Sequence, residues 1–178
     1  MNAYSYQGPY VKSSTVRSTI KDENGNELGA LERHFKSIFH KIFDMWIGEN
    51  KLLSNFRAFN QKGTQVIAAK KNHYKLKRSD FNIEYLEGDL KGEKFVARQK
   101  GIDIINPEYI IAGNNIEILS KKGILDWVKF YENGNEVARW KISIKDKFKV
   151  NIEIEEIATI QDPLFYSVLG QMLYFVGD

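Results

Sequence analysis

Histidines and carboxylates are the side chains that could ligate a metal or transfer protons, and neither group is arranged for that chemistry. The three histidines are His34, His40 and His73. His34 and His40 are six residues apart, whereas metal-binding pairs on a helix are typically four apart. The carboxylates lie at predicted hairpin tips or, as at Glu155 and Glu156, point to opposite faces of a strand, which is weak support for acid–base catalysis. We therefore expect no metal, no cofactor and no catalytic residues.

Other kinds of enzyme site find no support either. The absence of cysteine excludes a disulfide framework, a zinc–thiolate site and a thiol nucleophile. No glycine-rich phosphate cradle leads into a helix, and no Ser–His–Asp order stands out. The leading hypothesis is accordingly non-enzymatic.

Basic residues form the first candidate binding site. A predicted strand face carries Lys71, His73, Lys75 and Lys77, with Arg78 beside it. Such a face could contact lipid phosphates, at about 1 kcal/mol for each cation near an anionic surface, or it could simply be a solvated strand face. A second basic row runs from Arg139 to Lys149, and the neighbouring Glu153 and Glu155 reduce its net positive charge.

The composition limits the class of partner and the compartment. A net charge of +3 over 178 residues is weaker than the clustered excess typical of nucleic-acid domains, so no nucleic acid is expected. No apolar run approaches the ~20 residues of a transmembrane helix. Residues Met1–Tyr10 lack the features of a signal peptide. The expected location is the cytoplasm, in one domain spanning residues 1–178.

Recurrent Asn-Gly turns predict a meander of β-hairpins. The turns at Asn24-Gly25 and Asn133-Gly134 are typical of two-residue hairpin loops, and the turns together indicate about twelve strands. Residues Arg139–Val150 alternate a basic row with an apolar row that includes Trp140, Ile142 and Ile144, and Asp146 is expected to mark a turn.

An amphipathic helix over residues 35–47 forms the second candidate site. Phe35, Phe39, Phe43 and Trp46 follow helical spacing. The favoured interpretation is a cap that closes one end of a barrel and buries Phe39, Phe43 and Trp46. Alternatives are an interfacial membrane helix, a partner-binding face, or a surface for self-association.

A second helix, over residues 163–176, is apolar almost all round and begins at the N-cap Asp162 with Pro163 in the first turn. A helix without a polar face must be enclosed. A helix is about 10–12 Å across, and barrels of about eleven strands can hold one, whereas an eight-stranded barrel is only just wide enough for its own side chains. The sequence therefore predicts an antiparallel closed barrel, mainly β, around its own C-terminal helix.

This pattern resembles the tubby C-terminal-like superfamily, which includes LURP-one-related proteins and phospholipid scramblases. The resembling features are the hairpin phrases Ile20–Leu28 and Phe130–Val137, the closing segment from Val150 to Phe165, and the final apolar helix. The resemblance implies a twelve-stranded barrel threaded by that helix, and relatives that act on or bind phospholipids. No family site residue can be aligned to a position here.

Two classes of function follow. The first is a non-enzymatic binding or regulatory module that recognises acidic phospholipid headgroups or a protein partner. The second is a small-molecule binder or enzyme with a cleft at the barrel mouth, for which convergent polar groups would be required.

Overall fold

The computed structural model describes residues 1–46, 55–74, 77–101, 106–122 and 127–176, with side chains for all of these except 73, 74 and 77–79. Twelve antiparallel strands form a closed barrel in chain order, with the first strand paired to both the second and the last. The predicted fold class is thereby confirmed, including the strand number.

The strands are five to ten residues long, and each pairs with its neighbours in the chain. They are β1 (Asn2–Gln7), β2 (Ser18–Asp22), β3 (Glu27–Arg33), β4 (Asn55–Asn60), β5 (Gln65–Tyr74), β6 (Lys77–Tyr85), β7 (Lys94–Lys100), β8 (Glu108–Gly113), β9 (Ile116–Lys122), β10 (Val128–Glu132), β11 (Asn135–Ser143) and β12 (Lys149–Ile154).

The up-and-down order separates two barrel ends. Because successive strands run in opposite directions, every connection that follows an odd-numbered strand lies at one end. That end holds the loop of residues 8–17, the helix α1 (Ile38–Trp46) between β3 and β4, and the turn of residues 144–148. We call it the α1 end, and we call the opposite end the hairpin end.

The backbone conformation is as predicted at the Asn133-Gly134 turn and differs from the prediction at the Asn24-Gly25 turn. Asn133 (φ 51°) and Gly134 (φ 81°) both adopt left-handed conformations, as a two-residue loop between twisted strands requires. At the first turn only Gly25 does so, with φ 82°. There the carboxylate of Asp22 accepts hydrogen bonds from the amides of Asn24 and Asn26, which stabilises a wider turn.

The barrel interior is filled by the C-terminal helix. The helix α2 (Pro163–Leu169) begins as predicted, with the Asp162 side chain accepting from the amide of Leu164, and it continues as a π-helical segment, Gly170–Phe175. All residues from Leu164 to Tyr174 are buried. They pack against the inward rows of the strands, among which Phe95, Phe130 and Trp140 are the bulkiest side chains.

The prediction that Ile144 belongs to the inward row is wrong. Ile144 is 73% exposed, because β11 ends at Ser143 and the chain turns there. The hydroxyl of Ser143 donates to the carboxylate of Asp146 and accepts from its amide, which confirms the turn expected at Asp146.

Candidate functional site: an outward-facing apolar helix

The helix α1 begins three residues later than predicted. It spans Ile38–Trp46, so that Phe35 and Lys36 precede it, and the predicted last residue, Ile47, lies outside the described residues. It follows β3 directly and therefore lies at the α1 end.

The orientation of α1 contradicts the expected cap. Phe39 is 78% exposed and Trp46 is 84% exposed, and Phe43 is also solvent-exposed. The only residue of the helix that is buried is Asp44, at 0% exposure. Asp44, on the polar side of the helix, thus points to the barrel, while the apolar face points outward, the reverse of what amphipathicity alone predicts.

Helical geometry shows how complete this reversal is. With about 100° per residue, Ile42, Trp46 and Phe39 lie roughly 140–160° around the helix from Asp44. Ser37 and Lys41, which are both partly buried, lie on the Asp44 side.

A buried ion pair holds Asp44 in place. A guanidinium nitrogen of Arg33, Nη2, donates to Oδ2 of Asp44 at 2.6 Å, and both side chains are at most 2% exposed. Nη1 of Arg33 donates to the carbonyl of Lys12 at 2.6 Å, and the cation lies 4.7 Å from the ring centre of Phe35. Burial lowers the pKa of Arg33, and Asp44 opposes that effect.

The remaining residues of the predicted helical site have other roles. Phe35 is buried beneath Arg33 and is not part of the outward face. His34 is 2.8 Å from the guanidinium of Arg57. Burial and then Arg57 lower the pKa of His34, which disfavours its protonated form. His40 is exposed, and its Nδ1 contacts the hydroxyl of Ser37 at 2.7 Å.

Exposed apolar side chains are concentrated at the α1 end. Of the thirteen large hydrophobic residues exposed in the described part of the chain, ten lie there. They are Tyr10, Val11, Val16, Ile38, Phe39, Ile42, Phe43, Met45, Trp46 and Ile144. The loop of residues 8–17 and the turn of residues 144–148 thus add exposed apolar side chains at the same end of the barrel as α1. We call this set the docking face.

Exposed cations lie at the same end of the barrel as the docking face. Lys36, Lys145 and Lys147 are exposed at the same end of the barrel, and Lys41 is partly exposed. Asp146 is the exposed carboxylate of the 144–148 turn. The acid of α1 itself is buried and neutralised, so the exposed surface of the helix is apolar and basic.

The predicted basic strand face is described only in part. Lys75 lies outside the described residues, as do the side chains of His73, Lys77 and Arg78. Lys71 shares the inward side of β5 with Ala69, and its Nζ is 5.4 Å from the ring centre of the buried Phe81. Lys71 is therefore on the inner rim of the barrel at the α1 end, and its binding role stays a prediction.

The second basic row is partly neutralised. Arg139 pairs with Glu153 across β11 and β12 and lies over the ring of Trp127. Lys145 and Lys147, beyond the end of β11, and Lys149, the first residue of β12, are the members that lie at the α1 end.

Larger cavities in the described part of the chain lie outside the filled barrel interior. One, of about 320 Å³, lies between α1 and β3 and is lined by Thr15, Glu32, His34 and Lys41 among others. A second, also of about 320 Å³, lies on the outer surface over Ala30. Among the described residues no three His, Asp or Glu side chains converge as a metal site would require.

Sequence reasoning missed the Arg33–Asp44 pair, although a signal for it exists. The alternation of β3 places Gly29 and Leu31 inward, and Arg33 falls on the same side. A charged residue on an inward row needs a buried partner. Asp44, the one acid of the neighbouring helix, is the candidate that this reasoning would have identified.

Comparison with known proteins places the chain in a family. Over the described ranges, no helix combines the length and hydropathy needed to cross a bilayer. No curated protein and no solved structure matches the chain significantly. The family model of the Tubby C-terminal like domain matches residues 4–176, nearly the whole barrel from β1 to the end of the central helix. The chain therefore belongs to the Tubby C-terminal like family.

Proposed function

We propose that this protein is a binding module that attaches to anionic phospholipid surfaces through the docking face. Domains of its family are generally binding or regulatory modules rather than enzymes. The proposal specifies the partner as a membrane surface and the contact as α1 with its flanking loops.

The observation that supports the proposal is the burial of Asp44. Because this is the only acid in Ile38–Trp46, its removal from the surface leaves an exposed helix of apolar and basic side chains. Aromatic residues with flanking cations and no exposed acid are typical of helices that lie in a membrane interface. Trp46 and Phe39 would enter the headgroup region, where aromatic rings are favoured.

Electrostatic attraction adds to apolar insertion. Lys36, Lys145 and Lys147 are exposed at the same end of the barrel as the docking face, and each cation close to an anionic membrane contributes about 1 kcal/mol. Because these side chains are solvent-exposed, salt screens their attraction, and binding should weaken as ionic strength rises.

Vesicle co-sedimentation tests the proposal. We expect the protein to pellet with vesicles of phosphatidylcholine and phosphatidylglycerol and to pellet much less with phosphatidylcholine alone. Phe39→Glu with Trp46→Glu should abolish pelleting, since both positions are exposed and the change places acids on the docking face.

The matched control lies at the hairpin end. Ile157 is 65% exposed, close to the exposure of the residues on α1. Ile157→Glu adds an acid in place of an exposed apolar side chain and should leave pelleting unchanged. Equal pelleting by the wild type and the double variant would contradict the proposal, as would no pelleting with either lipid. In the second case a protein partner becomes the occupant to seek.

A further inference from the structure

The outward orientation of the apolar face of α1 must have a physical cause. An amphipathic helix beside a barrel ordinarily turns its apolar stripe to the protein, because that removes apolar surface from water. In α1 the stripe of Phe39, Ile42 and Trp46 faces solvent instead. Some interaction on the opposite side must oppose rotation of the helix about its axis.

The Arg33–Asp44 pair is in the right place to do this. Arg33 is the last residue of β3, and its direction is set by pairing with Phe56 in β4 and by the inward alternation with Leu31. The barrel therefore fixes the guanidinium, and Nη1 is further held by the carbonyl of Lys12. The position of this guanidinium therefore determines where Asp44 must lie, and with it which side of α1 faces the barrel.

Rotating the helix would separate two charges that water cannot reach. Both side chains are at most 2% exposed. A buried charge that loses its partner is far less favourable than an apolar side chain that stays in water. The best-attested role of such buried pairs is to select one register among several similar packings.

We propose that the Arg33–Asp44 ion pair sets the rotational register of α1 and thereby holds the docking face outward. Asp44 is then a positioning residue for the docking face. The consequence for membranes rests on the proposed function, but the register is a property of the protein alone and is measured without vesicles.

The chain contains no cysteine, so a single introduced thiol reports exposure at one chosen position. Phe39→Cys places the reporter on the outward stripe, and Ile144→Cys provides an exposed reference outside the helix. Val150→Cys, in the core of β12, reports unfolding. Thiol reaction rates are compared in three backgrounds: wild type, Asp44→Lys, and the charge exchange Arg33→Glu with Asp44→Lys.

In the wild type we expect Phe39→Cys to react as fast as Ile144→Cys. In the Asp44→Lys background the new cation cannot remain beside Arg33, so the helix rotates and the Phe39→Cys rate falls by about tenfold or more, a change equivalent to about 1.4 kcal/mol. The charge exchange should restore the wild-type rate. Asp44→Asn, which keeps the shape and removes the charge, should shift the rate in the same direction as Asp44→Lys.

Two results would overturn the inference. One is an unchanged Phe39→Cys rate in a background where Val150→Cys stays protected. The other is a rise at Val150→Cys in both Asp44 variants, which would mean that the pair holds the barrel together rather than selecting a register.

A separate measurement distinguishes this inference from the proposed function. Asp44→Lys should lower both the Phe39→Cys reaction rate and vesicle pelleting, and the charge exchange should restore both quantities. That result would support the two proposals together. If Asp44→Lys lowers the thiol reaction rate of Phe39→Cys and the wild type does not bind vesicles, the register inference holds and the membrane proposal fails.

Discussion

Substituting Gly170 by alanine brings two effects of opposite sign into competition. Gly170 has φ −58° and ψ −47°, so alanine suits its backbone, and helix propensity alone would favour alanine by about 1 kcal/mol. A Cβ at this position would, however, lie closer than 3.0 Å to three atoms of the Trp140 indole. One of the two groups must move.

Trp140 has little room to retreat. It is 2% exposed, inside a closed barrel, and its Nε1–H donates to the hydroxyl of Tyr6 at 3.2 Å. Overpacking of a filled core typically costs about 1–3 kcal/mol, and a contact this close belongs at the upper end. Less the gain in helix propensity, we expect Gly170→Ala to lower the free energy of unfolding by about 2 kcal/mol. At about 2–4 °C per kcal/mol for a chain of this size, the melting temperature should fall by several degrees.

Urea denaturation of Gly170→Ala, Trp140→Phe and the double variant measures the effect. Trp140→Phe alone should destabilise by removing ring volume and the hydrogen bond to Tyr6. In the double variant the smaller ring admits the methyl group. The combined loss should therefore be smaller than the sum of the single losses by about 1 kcal/mol or more.

Two outcomes would refute this reasoning. If Gly170→Ala stabilised the protein by about the propensity difference, the helix would not be packed against Trp140 as described. If the losses were additive within about 0.5 kcal/mol, the two residues would not be in conflict.

Three further predictions concern the ends and packing of the central helix. Burial raises the pKa of Asp162, with the Leu164 amide and the Tyr85 hydroxyl partly opposing. The folded protein therefore binds a proton more tightly than the unfolded chain, and the resulting stability is lost as pH rises from about 4 through the raised pKa. Urea titrations should show the wild type losing stability relative to Asp162→Asn over that range, and a constant difference would contradict this. Tyr174→Phe removes the hydroxyl that lies 2.9 Å from the buried Ser120 Oγ, and we expect a loss of about 1–3 kcal/mol in thermal unfolding, whereas no loss would mean that the contact is dispensable. A chain ending at Gln161 lacks the central helix and should show no cooperative melting by circular dichroism; a monomeric, cooperatively melting product would disprove the role of the helix as the core.

The barrel and its central helix were determined by local signals in the sequence. A run of apolar side chains from Leu164 to Val176 has no polar face, so it must be enclosed wherever it lies. The start at Asp162 and Pro163 follows from capping chemistry within four residues, and the turn at Asn133-Gly134 follows from backbone conformation. These constraints act over short stretches of chain and can therefore be read in order along it.

The face that α1 presents was decided by tertiary structure. The apolar stripe of Phe39 and Trp46 predicts burial, and the structure exposes both because Asp44 must reach Arg33, eleven residues earlier on a different element. A helical pattern specifies which side chains share a face, but not which face meets the rest of the molecule. That choice depends on a buried charge whose position is set by the pairing of β3 with β4, and only the closed barrel brings the two together.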